Sequence, residues 1–560
     1  MVPTSVVSPR QGRIDRVKTG SSNRRVAAAA LIAFALALPV LALAHSSVDS
    51  TGDRLTGTAA VNAALKDATV KGTVYREHYT RTRVLALDEH TARVTFYAGS
   101  RVVLEAAVER DGRVAASQLI GKSYVRAGAR LIQSPLMLIA LSVLFMLMFA
   151  TLPLRSWRNL DLLALTSTTL TIWVLNQRLF ELSIWLALPP LTYLALRCLN
   201  VGFGAARAPA PDGRPLIDAA FTKLRWDAGN ALKWAVGLAA VLAAMICIPG
   251  GASGDVGVAS MSGATQLLHG HLPYGNIASG VVHGDTYPIF AYVLYVPAAI
   301  FMPVHDLFDN TDGALWISTI SLLAAAAALF AAARSAGGTV FGLRNAFAWL
   351  VFPPVLITAS SGSNDMTTAL FVALALASIA DAGRSTLALS LAAWAKVVPV
   401  IALPLWIAHF RACGLRRALA GPIVLTASML ALLLAYGGPG AVREMLHGIA
   451  FQAGRGSVLS PWTVIDLPAV HVIFQAAAVA AAVAAAVAVW QSPSADARRI
   501  CALAAGVMLA VQLAANYWSY AYLPWVYPLL AAALLWPHSA TRLTGSDGHT
   551  ADFATADSGA

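Results

Sequence analysis

Residues 231–275 read ALKWAVGLAAVLAAMICIPGGASGDVGVASMSGATQLLHGHLPYG, and this stretch contains both kinds of segment that make up the chain. Its first part is apolar and long enough to cross the roughly 30 Å hydrocarbon core of a bilayer as a helix. Asp255 follows directly, in a segment that has no Lys or Arg as far as Tyr287. Such a chain is predicted to cross a membrane repeatedly and to carry its reactive groups near the ends of helices.

The composition of the whole chain is typical of a multi-spanning membrane protein. Of its 560 residues, 58% are hydrophobic and only 12% are charged, which lies outside the usual range of soluble domains. The backbone must satisfy its own hydrogen bonds in lipid, so we expect an all-α integral membrane bundle. About fourteen apolar runs are long enough to be transmembrane helices. They are centred near Phe34, Phe145, Leu170, Leu188, Val241, Leu294, Leu323, Trp349, Leu374, Val397, Thr426, Ala480, Val507 and Leu529.

The basic residues predict which side of the membrane each segment faces. The net charge of +12 comes mostly from short segments beside apolar runs, which is typical of cytoplasmic loops and is not a nucleic-acid signal. This rule places both termini inside and the Asp255 segment outside. It also places Asn364 and Asp365 inside, where we expect them to cap the following helix. Four arginines fall on the outer side against the rule: Arg178, Arg334, Arg344 and Arg384.

The N-terminal segments are predicted to include one exported domain. Residues 1–25 form a basic cytoplasmic tail. Residues 26–44 are a signal anchor or a signal peptide, since the run ends in Ala-Leu-Ala, a pattern that signal peptidase could cut. Residues 45–133 are expected to form an extracytoplasmic α+β domain, with an amphipathic helix near residues 59–68 and an antiparallel meander. Its alternating runs are VKGTVY, TRVLALDE, ARVTFYAG, RVVLEAAVE and RVAASQLIG.

The rest of the chain divides into two membrane modules and a tail. Residues 134–230 contain three predicted transmembrane helices and a Pro- and Gly-rich cytoplasmic linker, and residues 231–537 contain the remaining spans. Residues 538–560 have little to bury and are predicted to be disordered. The four cysteines lie far apart with no CxxC pair, which indicates neither a disulfide framework nor a metal site.

Two acids bracket the segment that follows the first span of the second module. Asp255 precedes a run with helical spacing of small and apolar residues, and Asp285 lies just before the next span, after a Pro-Tyr-Gly turn. A carboxylate at the edge of a bundle is a candidate general base, whereas a merely solvated acid is the plain alternative. His269 and His271 stand two residues apart and do not share a helix face, so a metal site is not expected there.

Further motifs in residues 231–537 resemble one class of membrane enzyme. SGSND at residues 361–365 precedes an apolar run, and AWAKVVP follows at residues 393–399. FQAGRGS then occupies residues 451–457, and YAYLPWVYP residues 520–528. Together these motifs resemble the N-D … G-x-x-x-K-x-x-P, H-x-x-R-x-x-x-x-S and Y-x-x-W-x-x-P patterns of family 87 of the GT-C class. GT-C proteins are integral-membrane glycosyltransferases that use polyprenyl-phosphate-linked sugars, and the N-terminal part resembles an accessory region of actinobacterial relatives.

The resemblance implies a function and a role for particular residues. The enzyme would move a sugar, mannose or arabinose, from a polyprenyl-phosphate donor to an envelope glycan or glycolipid, with inversion and without a cofactor. Asp255 would be the general base, and Asp285 would position the acceptor or assist the base. Arg455 and Lys396 would bind the donor phosphate. The expected substrate contacts are His269, Tyr274, Tyr287 and Gln452.

Several of these residues have an alternative interpretation. Lys396 falls near the middle of a predicted span, where a lysine costs roughly 2.5–3.5 kcal/mol on insertion scales. A purely structural lysine at that depth would need a buried acid as its partner. Arg455 could instead meet lipid headgroups, and the aromatic cluster from Tyr517 to Tyr527 is most simply an interfacial belt. Gln452 stands where the family pattern has a His, so the acceptor is not specified.

Two other functions fit the same composition. A transporter or flippase of a lipid-linked glycan would also have many spans, an intramembrane lysine and Pro-interrupted helices. A non-catalytic assembly protein would use the exported domain for docking. The absence of paired repeats in the sequence and the collection of polar motifs on one side favour the transferase, placed in the plasma membrane with an extracytoplasmic active site.

Overall fold

A computed structural model of the chain describes twelve stretches of it, and the account below concerns those residues alone. They are residues 57–86, 91–99, 101–119, 134–177, 179–204, 215–248, 253–277, 284–305, 309–454, 460–465, 467–492 and 496–537. The basic tail, the signal anchor or signal peptide and the C-terminal tail lie outside these residues. Arg178 and Arg455 also lie outside them.

A small α+β unit precedes the first bundle helix. The elements are α1 (Gly57–Lys66), α2 (Ala68–Arg76), β1 (Arg81–Ala86), β2 (Thr91–Ala98), β3 (Arg101–Glu109) and β4 (Val114–Leu119), and the antiparallel sheet has the order β1-β2-β3-β4. Val94, Phe96 and Leu104 are buried in a core with the two helices. Tyr97 and Val102 of the same strands are buried in the core of the helical bundle instead.

One run that was predicted to be a strand is helical. Residues 70–75 (VKGTVY) lie in α2, so the prediction of a strand there was wrong. The carboxylate of Asp67 accepts hydrogen bonds from the backbone N–H groups of Thr69 and Val70, both at 2.9 Å. This cap satisfies two donors of the first turn. The helix then buries Val70 and Val74, which stand four residues apart and share a face.

The rest of the described chain is a mostly helical bundle. Its helices are α3 (Pro135–Phe149), α4 (Trp157–Asn176), α5 (Phe180–Phe203), α6 (Leu216–Leu224), α7 (Ala228–Cys247), α8 (Asp255–Leu268), α9 (Ile289–Val293), α10 (Val296–Ala299), α11 (Asp312–Val351), α12 (Pro353–Ser360), α13 (Asp365–Ala377), α14 (Ala382–Ala395), α15 (Leu403–His409), α16 (Leu415–Gly454), α17 (Pro468–Gln491), α18 (Ala497–Ala514) and α19 (Leu523–Leu530). Six of these are long and apolar enough to cross a membrane: α5, α7, α11, α16, α17 and α18. Shorter apolar helices include α3 and α13. These helices are compatible with a membrane protein, and the count of about fourteen spans stays a prediction.

Two long helices are broken at glycines. In α11, Gly337 and Gly338 leave the helical conformation, so the element is two helices that meet at a kink. In α16 the break is at Gly438, directly before Pro439. Glycine adopts such backbone angles without the penalty that a Cβ imposes. Large buried rings, among them Trp349, fill the space between the helices.

Two predicted spans differ from the structure, and their effects on the side of the bundle assigned to later segments cancel. The run centred near Leu294 forms only α9 and α10, of five and four residues. The run centred near Val397 is instead a hairpin. Trp406 Nε1 donates a hydrogen bond to Ser385 Oγ at 2.8 Å, so the chain returns after Lys396 to the level at which α14 began.

These two differences change the side on which the segments between them lie. The backbone N–H of Ser253 donates to Thr311 Oγ1 at 3.0 Å, and that of Gly254 donates to the carbonyl of Ser361 at 2.8 Å. The Asp255 segment, the start of α11 and the start of α13 therefore share one end of the bundle, which we call the acidic end. The prediction that Asp365 lies on the opposite side from Asp255 was wrong.

The other end of the bundle, the basic end, carries the arginines. Arg344 pairs with Asp218 of α6, and Trp536 Nε1 donates to Asn345 Oδ1 at 2.8 Å. Arg498 Nε donates to the carbonyl of Ala533 at 2.6 Å. Other arginines of this end are Arg158, Arg384, Arg417 and Arg499. Arg344 and Arg384 thus lie with the other basic residues, as the positive-inside rule requires.

Candidate active site

Lys396 lies at the acidic end of the bundle, in the turn of the helical hairpin. α14 ends at Ala395, and Lys396 has the extended backbone angles φ −147° and ψ 136°. A short 3₁₀ turn that contains Pro399 follows. Proline lacks a backbone N–H and disfavours a helix before it. The expectation of a lysine near the middle of a span was therefore wrong, because the helix ends before Lys396.

The ammonium of Lys396 is enclosed by one carboxylate and three aromatic rings. Its Nζ lies 3.2 Å from Asp365 Oδ1. It also lies 4.6 Å from the ring centre of Tyr287 and 5.8 Å from those of Tyr522 and Trp525. Lys396 is 8% exposed and Asp365 is 2% exposed. Cation–π contacts strengthen when the cation is desolvated, as it is here.

Asp365 is held in place by its own turn. It is the first residue of α13, and its Oδ2 accepts a hydrogen bond from Ser363 Oγ. The preceding Asn364 is fully buried and makes no side-chain capping bond. Neither amide atom of Asn364 has a hydrogen-bond partner within the described part of the chain. Buried polar atoms are seldom left in this state, so this turn carries unused hydrogen-bonding capacity.

Asp255 reaches the same neighbourhood from the other side. It is the exposed first residue of α8. The first turn of this helix packs tightly on the Ser361–Asp365 turn, since a Cβ added at Gly257 would lie 2.9 Å from the carbonyl oxygen of Gly362. The hydroxyl of Tyr520 interacts electrostatically with both Asp255 and Asp365. Asp255 therefore lies at the same end of the bundle as the Asp365–Lys396 ion pair.

Asp285 is connected to the surroundings of Lys396 through contacts of the Tyr274–Tyr287 segment. Its Oδ2 accepts a hydrogen bond from the backbone N–H of Gly275 at 3.1 Å. The neighbouring Tyr274 hydroxyl donates to the carbonyl of Tyr287 at 3.1 Å, and the Tyr287 ring lies below Lys396. Burial raises the pKa of Tyr274, and the charges of Asp285 and Glu444 act in the same direction. Tyr274 therefore stays protonated and remains a hydrogen-bond donor at neutral pH.

The remaining candidates differ in how closely they join this site. The amide of Gln452, near the end of α16, donates to Thr286 Oγ1, which places it beside Asp285. His269 is exposed, with Nδ1 2.8 Å from the carbonyl of Thr265 and its ring 5.6 Å from that of His305. Within the ranges described above, no group of three His, Cys, Asp or Glu side chains could hold a metal ion.

Three residues around Lys396 were not predicted from the sequence to belong to the site. Asp365 was interpreted as a helix cap, and Tyr522 and Trp525 as an interfacial belt. A signal for Asp365 was present, because a lysine within an apolar stretch needs an acid partner. Asp365 starts an apolar helix of the same module. No comparable signal in the sequence links Tyr520 to the two acids.

Comparison with protein-family models, with curated proteins and with solved structures found no match to this chain. Its function is therefore inferred from the motifs and from the geometry of the acidic end.

Proposed function

We propose that this protein is a membrane glycosyltransferase of the GT-C type that uses a polyprenyl-phosphate sugar as donor. The observation that carries the proposal is the buried Lys396–Asp365 pair, which lies at the same end of the bundle as the candidate acids Asp255 and Asp285. A cation and a carboxylate at one end of an apolar bundle are what phosphate departure and hydroxyl activation require.

Lys396 is the proposed phosphate ligand. As the glycosidic bond to the donor breaks, negative charge grows on the lipid phosphate, and an ammonium in a dry site stabilises it. Asp365 pairs with this ammonium and orients it. Arg455 is proposed to act on the same phosphate, because its guanidinium can bind two oxygens at once.

Asp255 is the proposed general base. It accepts the proton of the acceptor hydroxyl as that oxygen attacks the anomeric carbon, and the sugar is transferred with inversion. The exposure of Asp255 at the start of α8 suits an acceptor that approaches from water. Asp285 positions the acceptor, and Tyr274, Tyr287, Gln452 and His269 are the proposed contacts to substrate.

The proposal includes a location and a topology. The basic end faces the cytoplasm, and the acidic end faces outward from the plasma membrane, in agreement with the positive-inside rule. About fourteen spans, including the run at residues 26–44, complete the multi-pass bundle. The donor enters sideways from the outer leaflet, the acceptor is an envelope glycan or glycolipid, and mannose and arabinose are the sugars to test first.

A flippase of a lipid-linked glycan is the second candidate. The break of α16 at Gly438 and the buried Asp365–Lys396 pair favour it, because carriers use interrupted helices and intramembrane charges. It does not require a general base, and Asp255 separates the two candidates.

The test is sugar transfer by purified protein in nanodiscs. Wild type, Asp255→Asn and Asp312→Asn are incubated with radiolabelled polyprenyl-phosphate mannose or arabinose and an envelope glycolipid extract. Asp312 is the matched control, because it is also the first residue of a helix at the acidic end. Product from wild type and Asp312→Asn, but not from Asp255→Asn, would support the proposal. Label that crosses liposomal bilayers without transfer would support the flippase, and equal transfer by all three variants would contradict the role of Asp255.

A further inference from the structure

An exposed patch of basic and aromatic side chains lies where α6 joins α7, at the basic end of the bundle. Residues 222–227 (TKLRWD) are all exposed, although α6 itself is held to the bundle. The backbone N–H of Leu216 donates to the carbonyl of Ala150 at 2.8 Å, and Phe221 is buried in the bundle core. The turn after α6 therefore has a fixed position and is left uncovered by the part of the chain that the structure describes.

The patch has more positive than negative charge. Lys223 and Arg225 form no ion pair with any of the residues that the structure describes. Lys233, in the second turn of α7, directs its ammonium back toward the turn, since its Nζ lies 3.5 Å from Asn230 Oδ1. The acid of the turn, Asp227, caps α7 by accepting a hydrogen bond from the backbone N–H of Asn230 at 2.9 Å. Three cations and one acid therefore leave an excess of two positive charges.

Arg225 has a backbone conformation that favours glycine. It ends α6 with φ 55° and ψ 31°, in the left-handed region that helices usually close with Gly or Asn. The backbone N–H of Trp226 donates to the carbonyl of Phe221 at 3.0 Å, so the helix ending is regular and only the residue type is unusual. A residue with a Cβ is strained in this region, and strained residues cluster at binding sites. The guanidinium itself is thus the feature that calls for a ligand.

Two tryptophans place the patch at the level of lipid head groups. Trp226 is 62% exposed and Trp234 is 82% exposed, and tryptophan is enriched at membrane–water interfaces. Further along α7, the outward face continues with the exposed side chains of Leu238 and Val241. α7 is long and apolar enough to cross a membrane. The surface therefore offers cations at the level of the phosphates and an apolar strip at the level of the acyl chains.

We propose that this patch binds a phospholipid whose head group carries a net negative charge. The Arg225 guanidinium binds two phosphate oxygens at once, and Lys223 and Lys233 add attraction as point charges. The acyl chains pack on Trp234 and Leu238. A zwitterionic phospholipid has the same phosphate, but its cationic group is repelled by the excess positive charge. A free phosphate gains no apolar contact, which favours a lipid as the occupant.

Photolabelling of the full-length protein in nanodiscs tests the proposal. Phosphatidylcholine nanodiscs receive a trace of phosphatidylglycerol or of phosphatidylcholine, each with the same diazirine-bearing acyl chain, and the labelled peptides are mapped by mass spectrometry. We expect phosphatidylglycerol to label residues 228–247 about fivefold to thirtyfold more than phosphatidylcholine does, given an excess of two charges near the membrane surface. Inorganic phosphate at millimolar concentration should leave this preference unchanged.

Variants of the cations complete the test. Arg225→Asn removes the guanidinium and introduces a residue that tolerates the left-handed region, so the melting temperature in phosphatidylcholine should not fall. The same variant should reduce the preference for phosphatidylglycerol by about threefold to tenfold. The triple variant Lys223→Gln/Arg225→Asn/Lys233→Gln should be labelled equally by both lipids. Arg416→Gln removes a charge from the exposed start of α16 at the same end of the bundle and should keep the wild-type preference.

Four results would overturn the proposal. Equal labelling of wild type by the two lipids would show that the patch does not select charge, and an unchanged preference in Arg225→Asn would exclude the guanidinium. Equal losses in Arg416→Gln and Arg225→Asn would assign the preference to the charge of the whole basic end. Loss of the preference in inorganic phosphate would identify a free anion as the occupant. None of these results depends on sugar transfer or on the side of the membrane that the basic end faces.

Discussion

The ammonium of Lys396 and the carboxylate of Asp365 form an ion pair of 3.2 Å at the turn between α14 and the returning arm of the helical hairpin. Both side chains are buried. Removing one partner of such a pair leaves an uncompensated charge, whereas replacing both by apolar residues is often neutral. The pair therefore permits a test that separates a structural role from a functional one.

Single substitutions in this pair should destabilise the protein strongly. We expect Lys396→Met and Asp365→Leu each to lower the free energy of unfolding by about 3–5 kcal/mol, measured by thermal or denaturant unfolding in detergent. The double variant Asp365→Leu/Lys396→Met should recover most of this loss. If Lys396 binds the donor phosphate, the recovered double variant remains inactive in sugar transfer. Activity in a stable double variant would contradict the phosphate role of Lys396.

Asp255→Asn should remove activity without affecting the fold. Loss of a general base typically lowers the rate by about 10²–10⁴-fold, so kcat for transfer should fall within that range. Asp255 is exposed, and the melting temperature is expected to stay close to that of wild type. Asp312→Asn controls for loss of one negative charge at the acidic end. A comparable loss of kcat in Asp312→Asn would indicate an electrostatic effect of the whole end and not a base.

The Tyr287 ring should matter more than its hydroxyl. Its centre lies 4.6 Å from Lys396 Nζ, and a cation–π contact of about 0.5–2 kcal/mol corresponds to about a twofold to thirtyfold change in an equilibrium or rate. Tyr287→Phe keeps the ring and should retain kcat/KM, whereas Tyr287→Leu should lower it by a factor in that range. Equal effects of the two substitutions would show that the hydroxyl is the important group.

Much of the secondary structure followed from apolar periodicity. The apolar runs around Leu170, Leu188 and Val507 became α4, α5 and α18, because long runs of this kind have no other way to satisfy their backbone in lipid. The predictions were wrong where the length and composition of an apolar run do not determine whether the chain crosses the bundle or turns back. The Leu294 run is interrupted by Pro297 and splits into two short helices, and the Val397 run folds back on itself.

Part of the candidate site could be predicted from the sequence. Lys396 and Asp255 stood out because charges are rare in this chain. Asp365 was assigned to the wrong side because the Leu294 run was counted as a membrane crossing. That one error reverses the predicted side of every segment between this run and the hairpin at Lys396. The pairing of Asp365 with Lys396 depends on tertiary packing of α13 against α14, which no local pattern encodes.

Gly263 should be required for the packing of α8. A Cβ added there would lie 2.2 Å from Cδ1 of Tyr292, and this ring is fully buried in α9. Gly263→Ala is therefore expected to lower the free energy of unfolding by about 1–3 kcal/mol, the usual cost of overpacking. Gly237→Ala, in the exposed face of α7 with nothing within 4 Å of its added Cβ, should be neutral or stabilising. Unfolding of both variants in detergent measures the difference, and equal stabilities would contradict close packing between α8 and α9.

The assignment of sides predicts which positions a membrane-impermeant maleimide can reach in intact cells. In a Cys413→Ala background the other three cysteines are buried, so an introduced cysteine reports alone. Asn310 is exposed beside Thr311, whose hydroxyl contacts the Asp255 segment, and Arg384 is exposed at the basic end. Asn310→Cys should be labelled from outside, and Arg384→Cys should be labelled only after the cells are permeabilised. Crossing of the membrane by the Leu294 run would exchange these two results, because each position would then lie on the opposite side.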